Sequence, residues 1–214
     1  MDKPMESAFN SFKQQQDINS KIVAALERLS QALRILLWNI AKEKNLSPIQ
    51  IQFLLYLSNH PKERRRVSNL AKEFGLTQAT VSDTVKALME KGLISKKPYQ
   101  KDGRVSTLEL TSSGKRLVVK LSGWQTAFKE QIKQFSPETK ETVIIFLMEL
   151  ITSLQRAGII SIARMCIVCS FFQRDVHPGS ESPHFCKLTN RPIANSELKI
   201  DCDKHKPIKT KLRK

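Results

Sequence analysis

Apolar residues recur at helical spacing in two short segments near the middle of the chain. In the first they fall at i, i+3, i+4 and i+7 and define one face: Val67, Leu70, Ala71 and Phe74. In the second they define a comparable inner face: Val81, Val85, Leu88 and Met89. Gly75 permits the left-handed turn that ends the first helix, Thr77 is suited to cap the second, and Gly92 stops it. The pattern predicts two helices joined by a tight turn.

The residues from Ile94 to Leu110 alternate loosely between apolar and polar and predict a β-hairpin. Asp102-Gly103 is a typical turn pair, so we expect the turn there. The hairpin carries several basic side chains: Lys96, Lys97, Lys101 and Arg104. Phosphate or a narrow minor groove is the expected partner of such a wing. Two short helices followed by a basic hairpin are the layout of a winged helix-turn-helix, which reads DNA.

The second of the two helices presents a polar outer face. Helical geometry places one group of residues in an outward arc opposite Leu88: Gln78, Ala79, Ser82, Asp83 and Lys86. Small and hydrogen-bonding side chains at a capped helix end suit a major groove. Together with the wing they give the predicted DNA-binding set: Gln78, Ala79, Thr80, Ser82, Lys86, Lys96, Lys97, Lys101, Asp102 and Arg104. A small helical core whose outer face is only solvated is the alternative.

Longer helices are predicted on both sides of this segment. An apolar stripe marks the first, over residues 19–44: Ile22, Leu26, Leu29, Leu33, Leu36 and Ile40. Ser47-Pro48-x-Gln50 starts the next helix with a cap and a first-turn proline, and His60-Pro61 ends it. Beyond the hairpin, apolar residues from Leu117 to Phe135 predict one long helix. Ser136-Pro137 starts another, which runs through Leu154.

The charge of the chain indicates the kind of partner that it binds. The chain has 214 residues and a formal net charge of +16 at pH 7, which favours a polyanionic partner. Residues 62–104 hold eleven Lys and Arg against five Asp and Glu. Residues 159–214 also hold eleven against five, so the excess lies on the C-terminal end and on the proposed reading head, which we define as residues 48–110. Within it, the run from Lys62 to Arg66 is either a solvated loop or a contact to the DNA backbone.

Neither a secretory signal nor a membrane span is evident. Residues 1–16 are polar and lack an apolar core. The stretch from Leu150 to Phe172 is interrupted by Gln155, Arg156 and Arg164. We therefore expect a cytoplasmic protein.

Five segments in the central region form a recognisable set: Leu70-Ala71, Gln78-Ala79-Thr80-Val81-Ser82, LMEKGLI from Leu88 to Ile94, Asp102-x-Arg104, and Leu110-Thr111-x-x-Gly114. They resemble the multiple-antibiotic-resistance regulator (MarR) family of bacterial transcription regulators, over about residues 17–158. The resemblance implies a homodimer joined by the first and the C-terminal helices. It also implies that Arg104 enters the minor groove and that Asp102 braces it. Asp83 departs from the basic or neutral residue that the family often has there.

All four cysteines lie in the last quarter of the chain: Cys166, Cys169, Cys186 and Cys202. Two thiolates three positions apart can bind one metal ion from a single turn, and two more complete a tetrahedral shell. Zinc bound by four sulfurs is expected, with an iron-sulfur cluster or four free thiols as alternatives. His184 and His205 are possible substitutes for a sulfur. Because the intervening segments are poor in core residues, we expect a metal to order them.

The expected fold is mainly α with a small β wing: a winged helix-turn-helix with long N- and C-terminal dimerisation helices. Its expected parts, in chain order, are a flexible leader (1–16), a MarR-like domain (17–158) with dimerisation helices at 19–44 and 112–158, a cysteine-rich extension (159–205) and a basic tail (206–214).

The expected function is that of a homodimeric repressor that binds specific double-stranded DNA and responds to a ligand, metal or redox signal. A small-molecule effector near Trp124 and Phe128 is consistent with the MarR resemblance. The alternative is a metal- or redox-dependent enzyme, or a protein-interaction module, built on the cysteines. With no catalytic carboxylate-histidine set and no glycine-rich phosphate loop in the sequence, we expect no enzyme activity and no catalytic residue.

Overall fold

The computed structural model describes residues 17–99 and 102–208, and the side chains of residues 17–99 and 106–208. Several predictions fall elsewhere. The leader (1–16), Lys101 and residues 209–214 of the basic tail lie outside the described residues, as do the side chains of Asp102 and Arg104.

Two helices open the described chain, and side-chain caps fix where each begins. Helix α1 spans Ile18–Glu43, and the Asp17 carboxylate accepts hydrogen bonds from the first free backbone N–H groups. Helix α2 spans Pro48–Asn59. Ser47 Oγ accepts from the backbone N–H of Gln50 at 3.3 Å, and the Gln50 side chain accepts from the Ser47 N–H at 3.1 Å. The predicted capping box and both helices are confirmed.

The reading head continues with a short 3-10 helix, two α-helices and a hairpin. The 3-10 helix is Lys62–Arg64, α3 is Val67–Phe74 and α4 is Gln78–Glu90. Gly75, at φ 62°, makes the left-handed turn after α3. The Thr77 hydroxyl accepts from the Thr80 N–H at 3.1 Å and caps α4, as the sequence predicts.

The wing consists of strand β1, Ile94–Tyr99, and strand β2, Asp102–Leu110, which pair antiparallel from Ile94 and Leu110 inward. The register shifts between Pro98 and Tyr99, and Asp102 pairs with Tyr99. The prediction of a turn at Asp102-Gly103 is therefore wrong, because both residues belong to β2. A shift in register of this kind depends on cross-strand contacts that a dipeptide signal does not contain.

Helix α5, Ser112–Leu121, is locked to the end of α4 by one threonine. The Thr111 hydroxyl donates to the Gly92 carbonyl at 2.7 Å and accepts from the Gly114 N–H at 3.1 Å. A Cβ at Gly114 would lie 2.1 Å from the carbonyl oxygen of Leu93. Only glycine fits this close approach between the helix and the backbone of the reading head.

The single long helix predicted from Leu117 to Phe135 is wrong. The structure has α5, ending at Leu121, and a separate helix α6, Thr126–Lys133. Turns around Gly123 join them, with the N–H of Trp124 bonded to the carbonyl of Leu121. Glycine weakens a helix interior, and the break lets Trp124 pack against the main core. Helix α7, Pro137–Arg156, then starts at its Ser136 cap as predicted.

The C-terminal module, residues 159–208, contains little regular structure. A three-stranded antiparallel sheet has the order β3-β4-β5, with β3 at Phe172–Gln173, β4 at His184–Cys186 and β5 at Arg191–Ile193. Short 3-10 helices flank it at Cys166–Val168 and Asn195–Glu197. The chain from 206 to 208, predicted to begin a tail, is bonded back to the module at Val168 and Ser170.

Two apolar cores hold the molecule together. The main core joins α1 to α5 with the wing, and its largest buried side chains include Phe53, Leu70 and Leu88. A smaller core joins Met148 of α7 to residues of the C-terminal module: Ala163, Met165, Ile193 and Leu198. The module thus has apolar packing of its own, contrary to the expectation that it is poor in core residues. Among the helices of the described chain, none is both long and apolar enough to cross a membrane.

Candidate nucleic-acid interface

The outer face of α4 is free of packing neighbours in the described chain. The predicted contact residues on this helix are all exposed: Gln78, Ala79, Thr80, Ser82 and Lys86. Asp83, in the same arc, is exposed as well. On the opposite face Val81, Val85 and Leu88 are fully buried, which fixes the rotation of the helix. The structure therefore places these side chains on one accessible surface, as the helical period predicts.

A groove of about 560 Å³ lies between this face and the wing. Residues of α4 line it together with one residue of β1: Ser82, Asp83, Lys86, Met89, Glu90 and Lys96. Three of them belong to the predicted DNA-binding set. Asp83, Met89 and Glu90 do not; the sequence pattern assigned Met89 to the inner face, yet 38% of it is exposed. The groove thus combines two basic, two acidic and two uncharged side chains.

Glu109 of β2 forms ion pairs with two lysines at the base of the wing. Its carboxylate oxygens lie 3.1 Å from Nζ of Lys62 and 3.1 Å from Nζ of Lys97. Hydrogen bonds from Lys97 and then from Lys62 lower the pKa of Glu109 below its ordinary value. The carboxylate therefore stays charged and offsets part of the positive charge on this side of the reading head.

The basic run from Lys62 to Arg66 is neither a solvated loop nor a free patch. Besides Lys62, which pairs with Glu109, Arg65 Nε donates to the His60 carbonyl at 2.7 Å. The Arg66 guanidinium lies 4.5 Å from the centre of the Tyr99 ring, a cation–π contact with the wing. Arg65 and Arg66 therefore make contacts within the reading head. The sequence predicted neither contact.

Arg64 lies beside a cluster of ion pairs between the reading head and the C-terminal module. We call it the Asp201 cluster: His60, Glu73, Arg164 and Asp201, with Arg64 at its edge. The Asp201 carboxylate accepts from Arg164 Nε at 2.7 Å and lies 2.8 Å from His60 Nε2. Arg164 also reaches Glu73 of α3 at 2.9 Å. Burial alone would raise the pKa of Asp201, but hydrogen bonds from Arg164 and His60 lower it to about 2.

The same cluster includes backbone contacts to the cysteine segment. Arg64 Nη2 donates to the carbonyl of Cys202 at 3.3 Å and to that of Asp203 at 3.0 Å. The His60 ring stacks on Tyr56, with centroids 3.8 Å apart. Burial raises the pKa of Tyr56 to about 12, which keeps its hydroxyl protonated beside these charges. The segment 201–203 is therefore docked on the junction of α2 and α3.

The four cysteines of the module are all reduced. Burial raises the pKa of the Cys166 thiol, and the neighbouring thiols of Cys202, Cys186 and Cys169 raise it further. Burial acts the same way on Cys186, but hydrogen bonds from Thr189 and Leu188 outweigh it and lower the pKa of that thiol. Within the described ranges, no three His, Cys, Asp or Glu side chains form a ready-made metal site.

The two candidate histidines have different surroundings. His184 is buried, its Nδ1 accepts from the Asp175 N–H at 3.2 Å, and its Nε2 lies 2.8 Å from Asn195 Oδ1. Both ring nitrogens of His184 thus have hydrogen-bond partners within the module. His205 uses Nε2 to reach the Val168 carbonyl at 3.2 Å and leaves Nδ1 for another partner. Burial lowers the pKa of His205, which favours its neutral form.

Comparison with known proteins agrees with this arrangement of reading head and wing. The fold is similar to that of MepR from S. aureus in a crystal structure with DNA. The TM-score is 0.54 at 25% sequence identity, over 62% of this chain and 96% of that chain. A profile of the MarR family matches residues 44–105, which include α3, α4 and β1. The central part of the chain, residues 44–105, is thus similar to the MarR family.

A relative that is a transcriptional repressor matches a similar share of this chain. The HTH-type transcriptional repressor YetL of Bacillus subtilis (strain 168) is 26% identical over 144 residues, which cover 62% of this chain and 86% of that protein. The matches to MepR and to YetL each leave more than a third of this chain unmatched. The roles of Asp102 and Arg104 that the family resemblance implies stay predictions, because these side chains lie outside the described ones.

Proposed function

We propose that this protein is a MarR-type, sequence-specific, double-stranded DNA-binding transcription regulator that acts as a homodimeric repressor. The observation that carries the proposal is the exposed polar face of α4, held beside a basic wing by a buried inner face. MepR, which has a similar fold, was crystallised with DNA, and YetL is a repressor. A cytoplasmic location accompanies the proposal, since that is where bacterial DNA is read.

In this proposal α4 enters a major groove and the wing lies along the flanking backbone. Gln78 and Ser82 supply hydrogen-bonding groups to base edges, and Lys86 and Lys96 reach phosphates. Asp83 repels phosphate, but a carboxylate accepts well from the amino group of cytosine. We therefore expect the half-site to contain a cytosine opposite Asp83, which gives the acidic residue a positive role in reading sequence.

A surface for the second copy is present on the helices outside the reading head. Large apolar side chains of α1 stand exposed, among them Ile35 and Trp38, each 60% exposed. An almost wholly apolar groove of about 460 Å³ lies between α1 and α6: Leu29, Ala32, Ile35, Leu36, Ala127, Phe128 and Gln131. Apolar surface of this extent is typical of a protein interface. A small-molecule effector is the other occupant that the MarR resemblance suggests for the region of Phe128.

The test begins with selection of preferred duplexes from a random pool by the purified chain, followed by affinity measurements on the selected site. We expect a pseudo-palindrome whose half-sites are about one helical turn apart. Lys86→Ala should weaken binding about three- to tenfold and reduce the slope of log affinity against log salt by about one, because one phosphate contact is lost. Gln78→Ala should instead relax the preference at one base pair.

The matched control is Lys129→Ala, which removes an exposed lysine of α6, outside the reading head. Its affinity and salt slope should equal those of the wild type. Selection of no common sequence, or the same small effect for Lys86→Ala and Lys129→Ala, would contradict the proposal. Such a result would favour the alternative of an interaction module whose basic face is incidental.

A further inference from the structure

The backbone of the C-terminal module brings its first and last cysteines side by side. The Cys166 N–H donates to the Lys199 carbonyl at 3.0 Å, and the Lys199 N–H donates back to Cys166 Sγ at 3.2 Å. The Cys202 N–H donates to the Arg164 carbonyl at 3.0 Å. The segments 164–166 and 199–202 therefore run together, although more than thirty residues separate them.

The other two cysteines are attached to the same place by the sheet. The Cys169 N–H donates to the Cys166 carbonyl at 2.9 Å, and the Phe172 N–H donates to the Cys169 carbonyl at 3.0 Å. Phe172 pairs with Cys186 across β3 and β4. Cys186 is therefore connected to Cys166 and Cys169 through a tight turn and the pairing of β3 with β4.

The surroundings of these sulfurs suit thiolates. Cys166 Sγ accepts the N–H of Lys199 at 3.2 Å. Backbone N–H groups that point at a sulfur stabilise its negative charge, as they do around metal-bound thiolates. Because both nitrogens of His184 are already bonded, that ring does not compete with sulfur.

We propose that Cys166, Cys169, Cys186 and Cys202 bind one zinc ion as four thiolates, and that the bound ion fixes segment 201–203 on the reading head. Binding converts four thiols to thiolates and releases their protons, so no oxidant or reductant is involved. The thiols must rotate to close on a common point, because in the part of the chain described here they do not yet form a metal site. The second half of the proposal rests on the proposed DNA-binding function.

The coupling runs through residues directly beside one ligand. The carbonyls of Cys202 and Asp203 accept from Arg64, and the Asp201 carboxylate accepts from Arg164 and faces His60. Arg64 precedes α3, and Arg164 pairs with Glu73 within α3. A metal that holds Cys202 in place therefore also holds the three carbonyl and carboxylate groups that position α3. Since α4 packs on α3, the orientation of the DNA-reading helix depends on the metal.

The first experiment measures metal in the purified full chain and in the same chain refilled with Co²⁺. We expect one zinc per chain and, for cobalt, intense visible bands with sulfur-to-metal charge transfer, the signature of a tetrahedral four-sulfur site. Cys202→Ser and Cys169→Ser should each lose most of the bound metal. Ser170→Ala, the neighbour of Cys169 and exposed, is the matched control and should keep one ion per chain.

Three results of this experiment would overturn the site. They are no metal in the chain and no uptake of Co²⁺, a brown protein with iron and sulfide, and cobalt bands that persist unchanged in Cys202→Ser. Circular dichroism of each variant shows whether metal was lost from the site or through unfolding of the whole chain. If the serine variants unfold, the cobalt spectrum of the wild type still decides between a four-sulfur site and none.

The second experiment compares the zinc-bound chain with the chelator-treated chain on a duplex selected from a random pool. We expect the wild type to lose at least tenfold in affinity when zinc is removed. Arg64→Met should keep its metal and show a smaller difference between the two forms than the wild type, because the link to Cys202 and Asp203 is cut and only the link through Asp201, Arg164 and Glu73 remains. Equal affinities of the two wild-type forms would overturn the coupling. A chain that binds zinc but selects no DNA would instead refute the proposed function and leave the metal site standing.

Discussion

Glu109 reduces the positive charge that the reading head offers to DNA. Its side chain is 19% exposed and holds Lys62 and Lys97, both well exposed, by its two oxygens. Ion pairs that face solvent add less than about 1 kcal/mol each to stability. The carboxylate therefore matters mainly as a negative charge beside two lysines that would otherwise be free to bind phosphate.

Replacement of Glu109 by glutamine should tighten binding to DNA of random sequence. The change removes one negative charge and frees Lys62 and Lys97, so affinity at low salt should rise severalfold and the salt slope should steepen by about one to two. Fluorescence anisotropy over a range of salt concentrations measures both. Glu149→Gln, which removes a carboxylate paired with Arg174 away from the head, should change neither. An unaltered slope for Glu109→Gln would mean that these lysines do not face phosphate.

Single residues also show what the sequence could and could not predict about the candidate site. The outward arc from Gln78 to Lys86 follows from the helical period and needed no structure. The use of Arg65 and Arg66 inside the reading head depends on the His60 carbonyl and the Tyr99 ring. Because these partners are met only after folding, a run of basic residues gave no sign of them.

At the scale of elements, the segment that joins α4 to α5 is closely packed. Thr111 bonds to both sides of it, and the missing Cβ of Gly114 leaves space for the backbone of Leu93. This joint sets the angle between the reading head and the helices that carry the apolar groove.

An alanine at Gly114 should destabilise the whole reading head. Its Cβ would overlap the Leu93 carbonyl, and overpacking against backbone costs roughly 1–3 kcal/mol. Urea denaturation followed by circular dichroism measures the loss. Gly123→Ala is the matched control: its Cβ would meet Thr126 Oγ1 at 3.8 Å, an ordinary contact. A midpoint for Gly114→Ala equal to that of the control would show that the joint is adaptable.

Helix starts were predictable and helix breaks were not. Ser47, Thr77 and Ser136 cap their helices through contacts only a few residues away. The break between α5 and α6 depends instead on Trp124 packing against a core assembled from distant helices. The predicted position of the wing turn is wrong for a similar reason, because the pairing of β1 with β2 sets where the turn lies.

At the scale of the whole molecule, two features lie beyond any local pattern: the Asp201 cluster and the apolar surface of α1, α6 and α7. His60 and Asp201 are 141 positions apart, so the sequence gives no spacing from which to infer their contact. The apolar stripe of α1 was evident in the sequence, but not which of its members stand exposed. On α7, Val143 and Phe146 are exposed as well, at 49% and 44%.

Introduction of a charge into the α1–α6 groove should separate the proposed dimer. Ile35→Asp places a carboxylate among apolar side chains, and burial of an unpaired charge costs several kcal/mol. Sedimentation velocity at micromolar concentration should show a dimer for the wild type and a monomer for the variant. Val119→Asp, at an exposed apolar residue that does not line this groove, should remain dimeric. A wild type that sediments as a monomer would refute the dimer itself.

The span of the Asp201 cluster has a consequence for synthesis of the chain. His60, Arg64 and Glu73 leave the ribosome well over a hundred residues before Asp201, which pairs with His60 and Arg64. The reading head can therefore complete its main core while these partly buried charges still wait for their partners. The ion pairs of Asp201 with His60 and of Arg164 with Glu73 can form only after Asp201 and Arg164 have been synthesised.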